Sequence, residues 1–365
     1  MTYGYWNPLR DVPAFPAARY ATLADRLARI MHTRNDVLMV QAEAVVALEA
    51  VASSIARPGL VALNIVTSPY GSWFGEWLRR GRAVVHELEA APGLPVSIAA
   101  VAATLEARPE IGVLSVVHAE SASGILNPIE DILALARARN IVTVVDAVAS
   151  IGGHPLAVDD LGVDLTIVGP QKGLGGPAGV SAVAVSPRGW RLVAEADGPA
   201  NSILSLRDHR AWLDAGRGVL PGTPAPHEFF ALDAALEQIE SEGLDNVVAR
   251  HTLAALATRE GLAALGATLW VEANEASNLV TVVRAPDSLD MRELIEAVNS
   301  LGVGASRGFG AGTERLVRLN HTGARARFDC VLSNVVAYGQ ASKLLGLGLD
   351  IGAGADKVAA IYGGR

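Results

Sequence analysis

The chain has 365 residues, of which 50% are hydrophobic and 19% charged, with a formal net charge of −8. That length exceeds one compact core, so two domains are expected. An acidic chain with no run of Lys and Arg sets aside nucleic-acid and acidic-membrane partners, and a single cysteine, Cys330, excludes an intrachain disulfide or a cysteine-built metal cluster.

From about Ala42 to Ser186 the sequence alternates short apolar runs with helical patterns. Val61–Val66, Val113–Val117, Ile141–Val145, Leu165–Val168 and Val180–Val185 read as strands. Their nearly continuous apolar character suits a parallel sheet covered on both faces. Trp73, Phe74 and Trp77 share one helical face, and Ser97–Ala107 and Ile129–Arg139 carry helical periods. Asn201–Pro226, rich in Pro and Gly, reads as an irregular connection. Then come helices Phe229–Glu242 and Asn246–Leu265, strands near Thr268–Val271, Leu279–Val283 and Leu316–Asn320, and helices Leu289–Leu301 and Phe328–Leu345. The glycines after that read as a loose tail. The expected division is an α/β domain over 1–235 and a smaller α+β domain over 236–365. The opening MTYGYWNPLR lacks the apolar core of a secretion signal, and no apolar run reaches the ~18–20 residues of a membrane span, so a cytoplasmic protein is expected.

The most informative stretch is VVDAVASIGGHPLAVDDLGVDLTIVGPQK, Val144 to Lys172. Asp146 ends one strand and Lys172 follows another, and ligands of such sheets sit at strand C-termini. Burial lowers a lysine's pKa and frees its amine as a nucleophile. An aspartate nearby can pair with a protonated ring nitrogen and make a pyridine ring an electron sink. Spacing alone leaves this open, because a lysine after a strand is ordinarily a solvated loop residue.

That stretch, with GLGGPAGVSAVAVSPRGW after it and HAESASGILNPIEDI (His118–Ile132) before it, resembles the core of class V aminotransferases. Within the group the pattern most resembles the pyridoxamine–pyruvate transaminases, through QAEAVVALEAVASSIARPG, LNIVTSPYGSWFGEW, ILSLRDHRAWL and RLVRLNHTG. The resemblance implies the α/β fold of fold-type I pyridoxal-phosphate-dependent transferases: a mostly parallel seven-stranded sheet plus a small C-terminal α+β domain. It implies Lys172 as the Schiff-base lysine and proton carrier, Asp146 on the ring nitrogen, Tyr70 and Val148 on the ring faces, and Ser121 on the 3-hydroxyl. It also implies Arg318 on the substrate carboxylate, and a homodimer or tetramer.

Members of the family cradle the cofactor phosphate with a Gly-Ser-Gly-Thr loop at a helix N-terminus, where exposed N–H groups and the helix dipole favour an anion. Here Ala42, Glu43, Ala44 and Val45 take those places, and Pro170 replaces a serine near the lysine. A carboxylate about 4 Å from a phosphate charge costs roughly 4 kcal/mol at an effective dielectric near 20. The expectation is that unphosphorylated pyridoxamine is a substrate, that Glu43 accepts from its hydroxymethyl group, and that no cofactor is tightly bound. Pyridoxamine would give its amine to pyruvate in vitamin B6 degradation. The alternative is a conventional aminotransferase of alanine or serine with glyoxylate or pyruvate, using pyridoxal 5′-phosphate. Three departures bear on the acceptor: Phe309 stands where a second arginine is expected, with Arg307 nearby, Gly222 replaces an aromatic residue, and the N-terminal segment is shortened. His118 and His321 read as structural groups, Cys330 reads as a small filler in a helix, and no spacing suggests a metal site.

Overall fold

The computed structural model describes residues 12–364 apart from 219, 221 and 311. The shortened N-terminal segment falls largely on residues 1–11, outside the described residues. Helix α1 (Ala17–Ile30) leads to β1 (Asp36–Val40), α2 (Ala44–Ile55), β2 (Val61–Val66), α3 (Pro69–Arg80) and β3 (Val84–Glu89). Next come α4 (Ile98–Ala107), β4 (Val113–Val117), α5 (Ile129–Ala138), β5 (Val142–Asp146), the short α6 (Val158–Leu161) and β6 (Leu165–Val168). Strand β7 (Ser181–Val185), α7 (Pro187–Glu195) and α8 (Leu206–Asp214) finish this part.

These strands form one seven-stranded sheet in the order β1-β7-β6-β5-β4-β2-β3. Strands β2 to β6 pair in parallel, whereas β7 runs antiparallel to both β6 and β1. Two reversals leave β1 pointing the same way as β6, so the segment after β1 emerges at the edge where β2, β4, β5 and β6 also end. Both faces are packed, which explains the nearly continuous apolar runs. Leu114 and Val116 of β4 enter the core on one face with α1 and α5, and Val113 enters the other with α2 and α3. Each such side chain, fully buried, contributes about 1.5–3 kcal/mol.

The remaining elements are α9 (Pro226–Glu242), α10 (Leu244–Ala264), β8 (Thr268–Leu269), β9 (Val280–Arg284), α11 (Met291–Ser300), β10 (Ala305–Arg307), β11 (Leu316–Asn320), α12 (Phe328–Leu344) and α13 (Ile351–Gly363). A four-stranded antiparallel sheet, β10-β11-β9-β8, packs its Val283, Val317 and Leu319 against α11 and α12 in a core of its own. Residues 235 and 236 both lie inside α9, whose Phe229, Leu232, Leu236 and Ile239 enter the core of the seven-stranded sheet.

Two expectations are corrected here. The connection 201–226 is not irregular throughout: Ser205 caps α8 through the Asp208 N–H at 3.1 Å, and Leu206 and Trp212 are buried. The C-terminal tail is not loose, because Asp350 caps α13 through the Ala353 N–H at 2.9 Å and α13 packs against α10. A Cβ on Gly261 would stand 2.6 Å from a Val358 methyl. The glycines permit close helix packing there, which a reading of local sequence takes for looseness.

Candidate active site

The common strand edge gathers the site. Strand β5 ends on Asp146; the turn after β6 carries Lys172; the turn after β4 carries Glu120 and Ser121; α3 begins beside Tyr70; and the turn after β1 carries Glu43. Glu43, Tyr70, Ser121, Asp146, Val148 and Lys172, all expected at the site, line one pocket. Arg318 arrives from β11 of the smaller sheet and donates from Nη1 to the Ser121 carbonyl at 2.7 Å. Its Nε and Nη2 donate to the Ser306 hydroxyl at 3.1 and 2.9 Å, Ser306 being its register partner on β10. The guanidinium is thereby held in one orientation beside Ser121, where its charge acts on Tyr70 and Lys172.

Electrostatics follow burial. Asp146 accepts from the Val148 N–H at 2.9 Å, yet burial raises its carboxyl to about 6, with the Lys172 charge pulling the other way. Burial lowers the Lys172 amine, helped by the Arg318 charge and opposed by Glu43 and Asp146. A larger neutral fraction makes that amine a better nucleophile at ordinary pH. Burial also raises the Tyr70 phenol, while its hydrogen bond to Ser121 and the Arg318 charge lower it.

Glu43 accepts the Val45 N–H at 2.8 Å on Oε2 and the Gln171 side-chain amide at 2.7 Å on Oε1. It therefore caps α2, is exposed, and still lines the pocket. Phe309 is exposed and packs on Tyr70 and Trp73, with ring centroids 6.2 and 5.8 Å apart. Arg307 is exposed, and its charge acts on Asp290 instead.

Behind the lysine, Gly173 packs so closely that a Cβ there would meet the Ile151 carbonyl at 2.3 Å. Gly323 (φ +60°) would bring a Cβ to 3.2 Å from the Lys172 carbonyl, and its N–H donates to His251 Nε2 at 2.8 Å. His154 Nε2 accepts the Asn278 N–H at 3.0 Å, and His321 shares a 2.9 Å hydrogen bond with Thr281. Burial holds His118 and His251 down at about 4 and His154 and His321 at about 3. Unfolded imidazoles titrate near ~6.5, so below that pH the unfolded chain binds protons that the fold refuses, and stability falls. The raised Asp146 and Glu120 act oppositely, gaining stability as pH falls through about 6 and about 7. Four imidazoles against two carboxyls leave a net loss on acidification; melting curves between about pH 8 and 5 should show the midpoint falling below ~6.5. A midpoint that stays level or rises would contradict this.

The family model for class V aminotransferases matches residues 17–328. The chain belongs to the class V aminotransferases. This aminotransferase is 36% identical over 353 residues to the pyridoxamine–pyruvate transaminase of Mesorhizobium japonicum, covering 96% of this chain and 89% of that one. It superposes on the pyridoxamine–pyruvate aminotransferase of Mesorhizobium loti with a TM-score of 0.91 at 35% identity, over 95% of this chain and 89% of that one. An alanine–glyoxylate aminotransferase from Nostoc superposes with a TM-score of 0.85 at 26% identity, over 91% and 90% of the two chains. The fold-type I architecture expected from the sequence is thus shown.

Family membership corrects one expectation: class V aminotransferases use pyridoxal phosphate as cofactor, so the reading that none is tightly bound does not stand. The donor set fits a pyridoxal ring, with a carboxylate, an amine, a hydroxyl, an aromatic face and an apolar face around one pocket. The residues at the phosphate position bear on which form of the ring is favoured, whereas Asp146, Lys172, Tyr70, Ser121 and Val148 line the ring end and fit the group in either form. Sequence reasoning missed Glu120, Gln171, Ser306 and His251. Of these only Glu120 left a signal, the one acidic residue in the HAESASG segment that follows an apolar strand.

Proposed function

We propose that this aminotransferase moves the amino group of unphosphorylated pyridoxamine to pyruvate, giving pyridoxal and L-alanine. The observation that carries the choice of donor is the Glu43 carboxylate, pinned by Val45 N and Gln171 at the N-terminus of α2. A phosphate there meets a carboxylate and finds the Val45 N–H taken; a hydroxymethyl group meets a hydrogen-bond acceptor. The 36% identity to a pyridoxamine–pyruvate transaminase supports the same reading.

A pyridine ring bound in the pocket supplies the electron sink for the carbon that gives up a proton. Asp146 holds the ring nitrogen in its protonated form. Val148 and Tyr70 cover the two faces, and the Ser121 hydroxyl orients the 3-oxygen. Lys172 Nζ acts as nucleophile and carries the proton between the C4′ carbon on the ring and the amino-acid α-carbon. Arg318, fixed by Ser306, takes the carboxylate of the keto acid or amino acid with its planar fork. We also propose a homodimer or tetramer in the cytoplasm, working in vitamin B6 breakdown; a monomeric mass by light scattering at micromolar concentration would overturn the first of these.

Turnover with pyridoxamine and pyruvate should exceed that with pyridoxamine phosphate in a parallel assay. In Glu43→Gln, which keeps the cap and loses the charge, the preference should shift toward the phosphorylated donor by about ten- to a hundredfold. The lower figure applies if solvent screens the exposed carboxylate fully. Preference for the phosphorylated donor in the wild type would move the enzyme to the alanine–glyoxylate type.

A further inference from the structure

Glu120 follows β4 by three residues and has no exposed surface. Asn127 donates its side-chain amide to Thr67 Oγ1 at 2.9 Å, so the Thr67 hydroxyl donates its own proton to Glu120 Oε1, at 2.5 Å. Ser68, on the same turn, caps α3 by accepting the Tyr70 N–H at 3.3 Å and stands beside the Glu120 carboxyl. Oε2 has no well-formed hydrogen bond among the described residues. Glu120 also lines the pocket with Ser121, Tyr70 and Lys172. A buried carboxylate with a bare oxygen is costly, whereas the acid form needs only a proton on that oxygen.

The groups around it decide which carboxyl is charged. Asp146 and Glu43 are the other carboxyls at the pocket, Lys172 lies there with its amine lowered by burial, Arg318 stands beside Ser121, Tyr70 is a phenol raised by burial, and His118 is held neutral by burial. Asp146 has the Val148 N–H and the Lys172 charge to support an anion; Glu120 has one hydroxyl on one oxygen. Environments that differ in this way divide the roles of two carboxyls.

We propose that Glu120 is a positioning residue that works as a neutral carboxylic acid, bracing the Thr67–Tyr70 turn against the Ser121 turn so that Tyr70 and Ser121 keep their places around the ring. Burial, with Asp146 adding to it, pushes its carboxyl up to about 7 against the pull of the neighbouring Ser68 and Thr67 hydroxyls. Above that pH the brace acquires a charge with no counter-ion, and ring binding weakens.

The inference rests on reading the pocket as a pyridoxal-ring site, and its test reads both free and ligand-bound protein. In the free protein near about pH 6, infrared difference spectra of wild type against Glu120→Gln should show the carbonyl stretch of a protonated acid that the variant lacks. Pyridoxal affinity, followed by protein fluorescence, and kcat/KM should fall on the alkaline side in wild type. Glu120→Gln, permanently neutral, should stay within about threefold of wild type at neutral pH and lose that alkaline fall, while Glu120→Ala should lose about tenfold. No acid band, an unchanged pH profile in Glu120→Gln, or a loss in Glu120→Gln equal to that in Glu120→Ala would each overturn the proposal. Should Glu120→Ala fail to fold, the Glu120→Gln spectra and profile decide alone. The infrared result is independent of which amine and keto acid the enzyme uses.

Discussion

Lys172→Ala should reduce kcat by at least ~1,000-fold, since one substitution removes both the nucleophile and the proton carrier. The near-visible absorption that pyridoxal gains on reaction with a lysine should vanish with it. The fold should survive, because the surrounding turn is set by Gly173, Gly323 and the Lys172 carbonyl rather than by the lysine side chain. Circular dichroism and melting temperature serve as the controls. Wild-type absorption or turnover in Lys172→Ala would remove Lys172 from the chemistry, and with it the reason the turn after β6 lies at the pocket.

Arg318→Leu should lower kcat/KM for the keto acid by about a hundredfold, the scale expected when a hydrogen-bonded charge pair loses one partner. Affinity for pyridoxal without keto acid should change far less, so the two measurements together separate carboxylate recognition from collapse of the pocket. Arg318→Lys should recover little of the loss: the Ser306 hydroxyl and Ser121 carbonyl hold a planar fork, and an ammonium cannot reproduce it. Phe309 lies beside Tyr70 and Trp73. An unchanged kcat/KM in Arg318→Leu would place the carboxylate elsewhere.

Several elements were legible because their cause is local. Strands β2, β4, β5, β6 and β7 announce themselves as short runs dominated by Val, Leu, Ile and Ala, since both faces of the sheet are covered. Strand β3, reading VVHELE, lies at the sheet edge and is only partly buried, so it has no such run. Strand β1, reading DVLMV with exposed Asp36 at its start, lies at the opposite edge of the sheet and is identified by its pairing with β7.

The site divides along the same line. Local pattern placed Asp146 and Lys172 at or just beyond strand ends, while their proposed roles came from the resemblance to the family. The sequence by itself determined the alternating sheet, the two carboxyl- and amine-bearing turns, and the likeness to class V aminotransferases. Only the tertiary structure decided that β7 runs antiparallel and so delivers Glu43 to the same edge. It alone set Ser306 against Arg318, closed α13 onto α10, and buried Glu120 under Thr67. Those outcomes depend on which distant residues share a register or a contact, and a side chain's charge and orientation are fixed by such neighbours rather than by the residues beside it in the chain.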